Sequence, residues 1–404
     1  MTAHAIEIDA RTLTSVDETT AMRIDTVRDV TAFDTLREEW NALLSDSRAD
    51  SIFLTWEWLR TWWTHLAGDV RLALLTVRSE SELIAIAPFK TTGPGLLGIS
   101  TLSFLGTGRV GSDYLDIIVR RGHETRAMRA LSRHIARTGA IIDMKQARVA
   151  TSSAAALAKD LRRDGARIQA SLTHRCPVID LTSGSFTDYL ASLGAEHRYA
   201  FARKLRRLER DHELRFERIE TADRLRDALP ILFELHRLRW DERGGSDGLA
   251  GSSILAFHEA FTRLALERGW LRLYIVWVGG LPAATFYGFR HGSVFSFYQS
   301  GFDPAFKKLG VGTVAMGLAI KAAFEEGARE FDFLHGEESY KFHWTKATKR
   351  LGSIVSYPGG VAGNAVRLAA RAKSLGKSAV RWIRRRGASF TTDSSGGGRA
   401  SASC

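Results

Sequence analysis

The chain has 404 residues, 45% of them hydrophobic and 25% charged. That mix is normal for a globular protein, and the length suits about two to three domains with sizeable cores. No uncharged apolar run approaches the ~18 residues needed to span a bilayer. Two cysteines, Cys176 and Cys404, make neither a disulfide framework nor a metal-ligand spacing, and the histidines show no H-x-x-x-H or H-E-x-x-H pattern, so no metal site is expected. The net charge of +12 is unevenly placed: residues 361–404 hold nine Lys/Arg against Asp393 alone, so the rest of the chain is only mildly basic.

In chain order, residues 1–27 carry early acids and no secretory pattern, and read as a flexible leader on a cytoplasmic protein. "TAFDTLREEWNALLSDS" has helical spacing. "SIFLTWEWLRTWWTHL" sets Trp56, Trp58, Trp62 and Trp63 within eight residues, which predicts a helix buried on most sides rather than a ligand platform. Strand-like runs follow ("VRLALLTVR", "ELIAIAPFK", "STLSFLG", "YLDIIVR"), then a helix "ETRAMRALSRHIARTG", the strand "IIDMKQ", a helix "SAAALAKDLRRDG" and the strand "RIQASL". From Cys176 come a strand "CPVIDL", the helices "SFTDYLASL" and "AEHRYAFARKLRRLERD", a strand "LRFERIE" and two helices around the loop "GGSDGLAGSS". Three strands follow, "WLRLYIVWV", "PAATFYGFR" and "SVFSFYQS", the last two joined by a tight turn at His291–Gly292. A helix, the strand "REFDFLH", the stretch "ESYKFHWTK" and a strand "LGSIVSY" end the body.

Tyr114–Gln146 and Phe295–His335 share one order: strand, loop, helix, short strand. This predicts a duplicated α/β unit. In the second copy the helix opens with "KKLGVG". A helix N-terminus leaves backbone N–H groups unpaired and carries partial positive charge, and glycines let an anion approach them. Lys307, Lys308, Leu309, Gly310, Val311, Gly312 and Thr313 therefore form a candidate phosphate cradle. The same six-residue pattern also fits a plain helix start with solvated lysines. The first copy has Glu124 at the corresponding place, and an acid there opposes a phosphate.

"SFYQSGFDPAFKKLGVGTVAMGLAIKAAFEEGAREFDFLHGEESYKFHWT" resembles the acyltransferases of the GNAT superfamily. More narrowly, it is similar to the bacterial group related to the CelD/BcsL proteins of cellulose and exopolysaccharide biosynthesis, itself related to the FemAB peptidyltransferases with their two GNAT-like units. The specific element is the spacing Asp332-x-x-x-Gly336-x-x-x-Tyr340-Lys341-x-x-Trp344 behind the glycine-bearing helix. "WEWLRTWW", "YAFARKLRRLE" and "ELHRLRWDERGG" agree, and the likeness covers most of residues 28–357. It implies an α/β fold of two GNAT-like units, each a mixed sheet flanked by helices. The first would span 28–175 without an intact phosphate loop, the second 176–357, and a basic tail 358–404.

The resemblance also implies an acyl-CoA, acetyl-CoA in the simplest case, as co-substrate. Its pantetheine arm would lie between splayed strands, with the pyrophosphate on the amides of 309–313. Lys307 stands where that superfamily's loop usually has arginine or glutamine. The acceptor would be an amine or hydroxyl on a sugar, lipid or small molecule tied to envelope polysaccharide. Two other readings are an aminoacyl-tRNA-dependent transferase and a non-catalytic scaffold for a membrane synthase.

Direct transfer needs a base near the notch, and His335 and Glu337 follow the strand that opens there. Asp332 would orient the loop, with Lys341 as its partner. Tyr340 would protonate the departing thiolate, or else be a core tyrosine. Tyr298 and Gln299 end the other splayed strand. His236, Arg239 and Trp240 would line the acceptor pocket from the long helix. The basic run Arg198–Arg215 is either a solvated helix face or a recognition surface for an anion. The tail "NAVRLAARAKSLGKSAVRWIRRRG" mixes apolar and basic residues, as suits contact with an anionic membrane surface at the inner face of the membrane. A solvated tail is the plainer reading, and no specific nucleic-acid partner is expected.

Overall fold

The computed structural model describes residues 22–95, 98–108, 110–241, 245 and 248–372. The first half runs β1 (Met22–Val27), α1 (Val30–Thr35), α2 (Arg37–Ser45), α3 (Trp56–Leu66), β2 (Arg71–Leu72), β3 (Leu74–Ser79), β4 (Glu82–Ala87), β5 (Phe89–Thr92), β6 (Thr101–Phe104), β7 (Ile118–Val119), α4 (Glu124–Thr138), β8 (Ile141–Ala147) and α5 (Ser153–Arg163). β9 (Arg167–Asp180) leads to α6 (Phe186–Ser192), α7 (Ala195–Asp211), β10 (Leu214–Arg218), α8 (Ala222–Asp241), α9 (Ser252–Glu267), β11 (Leu271–Val278), β12 (Leu281–His291), β13 (Val294–Phe302), α10 (Val311–Glu325), β14 (Glu330–Asp332) and β15 (Thr348–Tyr357).

Local chemistry sets these boundaries. Thr55 caps α3 by accepting from the Trp58 amide, and Ser152 caps α5 by accepting from Ala155. Gly139 closes α4 in the left-handed region at φ 63°. The β12–β13 turn centres on Gly292 and Ser293, since His291 pairs with Val294. Two expected boundaries move. Met22–Val27, read as the end of a leader, forms β1 and pairs along β3. The division at 175/176 falls inside β9, which pairs with β15 over residues 167–177 and with β14 over 178–180.

The two units therefore share one sheet. Its order is β10-β11-β12-β13-β14-β9-β15-β8-β6-β5-β2, beside a smaller sheet β1-β3-β4-β7. β15, last in sequence, lies between β9 and β8 and covers an edge that the first unit would otherwise expose.

The duplication is visible in the pairing. β6 runs parallel to β8 (Thr101↔Ile141) across α4, and β13 runs parallel to β14 (Val294↔Glu330) across α10. The units differ in how the first strand of each pair continues. β13 passes its neighbour β12 with a one-residue bulge, between Tyr287 and Gly288. In the first unit the chain leaves the sheet after Phe104 and returns at Ile118, although the facing strand advances only from Phe89 to Ile86. Residues 105–117 therefore project out of the first unit as a loop against the second.

A single core crosses the boundary. Trp58 is fully buried and meets Phe53 edge-on in its own unit, and Phe257, Phe261, Phe289 and Tyr298 from the other. Its indole N–H donates to Ser112 Oγ (2.9 Å) in the projecting loop. Glu57, also fully buried, is held by Asn41 (2.9 Å) and by Arg268 after α9 (2.7 Å), so this charge too is paired across the units. The tryptophan helix is thus a core element, as its composition predicts. Replacing Trp58 by alanine should destabilise the protein by about 3–5 kcal/mol. Urea unfolding should show both units losing stability together; a loss confined to the first unit would contradict a shared core.

Candidate functional site

β13 and β14 pair only over Val294–Ser296 and Glu330–Asp332 and then separate, leaving a notch at their C-terminal ends. A cleft of about 250 Å³ occupies it. Thr285, Phe286, Gly301 and Met316 line it, and Lys307, Gly310, Val311, Gly312 and Thr313 close one end. Gly310, at φ 72°, joins a short 3-10 turn (Pro304–Leu309) to α10, so the start of α10 faces the cleft. The two glycines serve differently. A Cβ on Gly310 would meet the Lys204 side chain at 2.6 Å, whereas one on Gly312 would make only an ordinary 3.6 Å contact with Phe302. Gly310 is needed by the backbone. Gly312 lies inside the helix, where glycine costs roughly 1 kcal/mol relative to alanine, and packing does not require it. Its bareness keeps the helix start open to a ligand.

Lys204 of α7 lies over Gly310, and its ammonium donates to Thr313 Oγ1 at 3.4 Å. The basic run of α7 therefore supplies a cation to this end of the cleft, and His197 from the same helix lines it. Phe201 and Leu208 are the buried positions of α7, and Phe201 packs where Gly317 leaves α10 bare. Lys308 is exposed, and Leu309 packs in the small core beneath the loop; neither lines the cleft.

A second pocket, about 200 Å³, lies alongside. It is lined by Trp240, Tyr298, Gln299, His335, Glu338 and Lys341, among others. Arg239 and Tyr340 line both spaces, so the two meet there. Arg239 donates through Nη1 to the Ser300 carbonyl (3.2 Å) and to its hydroxyl, with Tyr340 5.5 Å from its guanidinium. Its buried Nε has no hydrogen-bond partner among the described residues, a donor left over at the junction.

His335 is fixed by the projecting loop of the first unit. Asp113, fully buried, accepts from the His335 amide (2.7 Å, Oδ2) and pairs with its Nδ1 (2.8 Å, Oδ1). Gln146 Nε2 donates to the same carboxylate at 3.2 Å. Asp113 and its hydrogen bond hold the His335 pKa above its ordinary 6.5, against the effect of burial. A carboxylate on Nδ1 makes that nitrogen the donor and leaves Nε2 as proton acceptor in the neutral ring.

The neighbours of this pair carry unusual backbone. Tyr114 (φ 56°), Gln146 (φ 59°) and Leu334 (φ 56°) are non-glycine residues in the left-handed region, where each costs of order 1–3 kcal/mol. Asp332 stabilises one of them: its Oδ1 accepts from the Leu334 amide and its Oδ2 from the Tyr114 hydroxyl, both at 2.7 Å. Burial lifts the Asp332 pKa to about 6.

Several sequence expectations change. Asp332 accepts from the Tyr114 hydroxyl and the Leu334 amide, not from Lys341. Lys341 instead donates to the His335 carbonyl and to Glu338, both at 3.0 Å. Glu337 is exposed and lines neither space, so of the two candidate bases only His335 lies in the pocket. His236 is buried behind β13, bonded to Gln299; burial lowers its pKa to about 4, and it lines neither space. Tyr298 lines the second pocket and hydrogen-bonds the backbone of Gly111, and neither it nor Gln299 lines the first cleft. Asp113, Tyr114 and Gln146 had no sequence signal beyond the polar, glycine-rich "GTGRVGSD" between two strand-like runs. Among the described residues no His/Cys/Asp/Glu group could hold a metal ion.

Residues 195–342 match the family model of the acetyltransferase (GNAT) domain. None of the curated proteins matches the chain. The crystal structure of FemX superposes with a TM-score of 0.60 at 12% identity, over 85% of this chain and 99% of that one. A conserved protein of unknown function from Bacteroides thetaiotaomicron gives 0.53 at 15% identity, over 83% and 99%. The C-terminal domain of a putative lysylphosphatidylglycerol synthetase from Agrobacterium fabrum gives 0.50 at 12%, over 84% and 96%. The chain thus shares its two-unit fold with these structures, and the part that matches the acetyltransferase (GNAT) domain model lies in the second unit.

Gly312→Glu would place a side chain and a negative charge at the open helix start without touching the Lys204 packing. Calorimetry should show coenzyme A affinity falling at least tenfold, about 1.4 kcal/mol, with unchanged circular dichroism. Equal affinity in the folded variant would remove the cradle.

Proposed function

We propose that the protein is an acyltransferase that moves an acyl group, acetyl in the simplest case, from coenzyme A to an amine or hydroxyl. The observation that carries this reading is the meeting of two pockets at Arg239 and Tyr340, with a carboxylate-paired imidazole on the acceptor side. The donor's phosphates would lie at Gly312, Thr313, Lys204 and Lys307, and its thioester at the junction. His335 Nε2 takes the proton of the acceptor nucleophile as the new N–C or O–C bond forms and the C–S bond breaks. Tyr340 supplies a proton to the departing thiolate. Asp113 acts through His335, holding its tautomer and stabilising the imidazolium that forms. The resemblance of the Asp332–Trp344 spacing to the CelD/BcsL-like group supports an acceptor from envelope polysaccharide synthesis.

Purified protein with acetyl-CoA and candidate amines should release free thiol. Turnover only with aminoacyl-tRNA, or with no donor at all, would favour the transferase or scaffold readings instead. His335→Ala should lower turnover by roughly 10²–10⁴. The pH profile has a definite sign. Because Asp113 raises the His335 pKa, the basic form accumulates only above it, so kcat/KM should rise with pH through a value above 6.5. Asp113→Asn should lower the plateau and move that limb to lower pH. A limb that stays in place would mean another group is the base.

Among the described residues no helix is long and apolar enough to cross a membrane. Most of the basic tail lies outside the described residues, with 360–372 helical. Its charge supports loose contact with an anionic leaflet, where each Lys/Arg contributes about 1 kcal/mol. Full-length protein should sediment with anionic vesicles and a form ending at Gly360 should not; equal binding by both would dismiss the tail as an anchor.

A further inference from the structure

The first unit has its own notch. β7 and β8 lie in different sheets, and a cavity of about 190 Å³ opens between their C-terminal ends, at the starts of α4 and α5. This is the place that, in the second unit, holds the phosphate cradle. Here the chemistry is reversed. Asp116 accepts from the amides of Ile117 (2.8 Å), Ser153 (3.1 Å) and Ala154 (2.7 Å), so the anion position of α5 is already filled by the chain's own carboxylate. Glu124 stands in the first turn of α4. Asp50, paired with His291 at 2.7 Å, lines the cavity as well, so a phosphate would meet three carboxylates.

The remaining charges are arranged for something else. Arg148, an exposed residue, lines the mouth of the cavity with its guanidinium 4.9 Å from the centre of the Tyr114 ring. Among the described residues it has no carboxylate within ion-pair distance, although it lies in the field of Asp116. Glu124 touches Arg48 at 3.4 Å, but Arg48 is 81% exposed, so this contact contributes little and opens readily. Leu115, Val119 and Met128 add apolar surface to the lining.

We infer that this notch is a second small-molecule site, for a zwitterion of α-amino-acid size. The ligand's carboxylate would take the fork of Arg148, its ammonium would take Glu124, and its side chain would lie against Met128 and Val119. The site is independent of the donor cleft and does not rest on the acyltransferase reading.

The test uses the full chain and the proteinogenic α-amino acids, one at a time, by thermal shift and then calorimetry. At least one should bind, and its affinity should fall at least tenfold in both Arg148→Gln and Glu124→Gln. Its decarboxylated amine and its deaminated acid should each bind more weakly than the parent. Acetyl-CoA affinity should be unchanged in both variants, and amino-acid affinity unchanged in Gly312→Glu, which separates failure here from failure of the donor cradle. No binding by any amino acid at about 10 mM, binding that survives both substitutions, or displacement of the amino acid by acetyl-CoA would each overturn the inference.

Discussion

The site depends on one buried carboxylate. Asp113 has no exposure to solvent, and an unpaired charge there would cost several kcal/mol. It is tolerated because both oxygens are engaged, by the amide and Nδ1 of His335 and by Gln146. That engagement requires a loop from one unit to reach a strand end of the other. It also requires Tyr114, Gln146 and Leu334 to hold left-handed backbone. Each such residue costs of order 1–3 kcal/mol, so the packing around the loop matters to its geometry. Trp58 contributes to that packing directly, through its bond to Ser112 and its ring contacts to the second unit.

The duplication explains how one unit came to serve the other. Both carry a strand, a crossover helix and a parallel strand. In the second unit the first of these strands bulges by one residue and opens a notch beside a glycine-bearing helix. In the first unit the same strand is broken by residues 105–117, and the helix starts with Glu124. The strand that would bound a donor site has instead become the support for its partner's histidine. Glu124 at the helix start and Asp113 in the loop are therefore differences around one strand.

Burial also sorts the histidines. His236 and His258 lie inside the second unit, and burial lowers their pKa values to about 4 and about 3, so both stay neutral at physiological pH. His174, whose ring is 5.1 Å from that of His335, is lowered as well. Among the described residues only His335 is moved the other way, by its hydrogen bond to Asp113.

The sequence by itself determined the elements and the position of the notch. Apolar spacing marked α3 and α10, "SVFSFYQS" and "REFDFLH" marked the strands that separate, and Gly310 with Gly312 marked the helix start between them. These are local signals, and those for the notch lie within some forty residues of chain. Tyr340, expected from the same stretch, lines both spaces, whereas Asp332 lies behind them against Tyr114. Tertiary structure alone decided which groups face each other. Asp113 and His335 lie 222 positions apart, and hydrophobic periodicity carries no information about a polar contact between two loops. The same holds for Tyr114 with Asp332, for Lys204 over Gly310, and for the burial of His236. The unit boundary was misplaced for a related reason: β9 reads as two short strands because its polarity changes at Cys176, yet one continuous backbone pairs with both halves of the sheet.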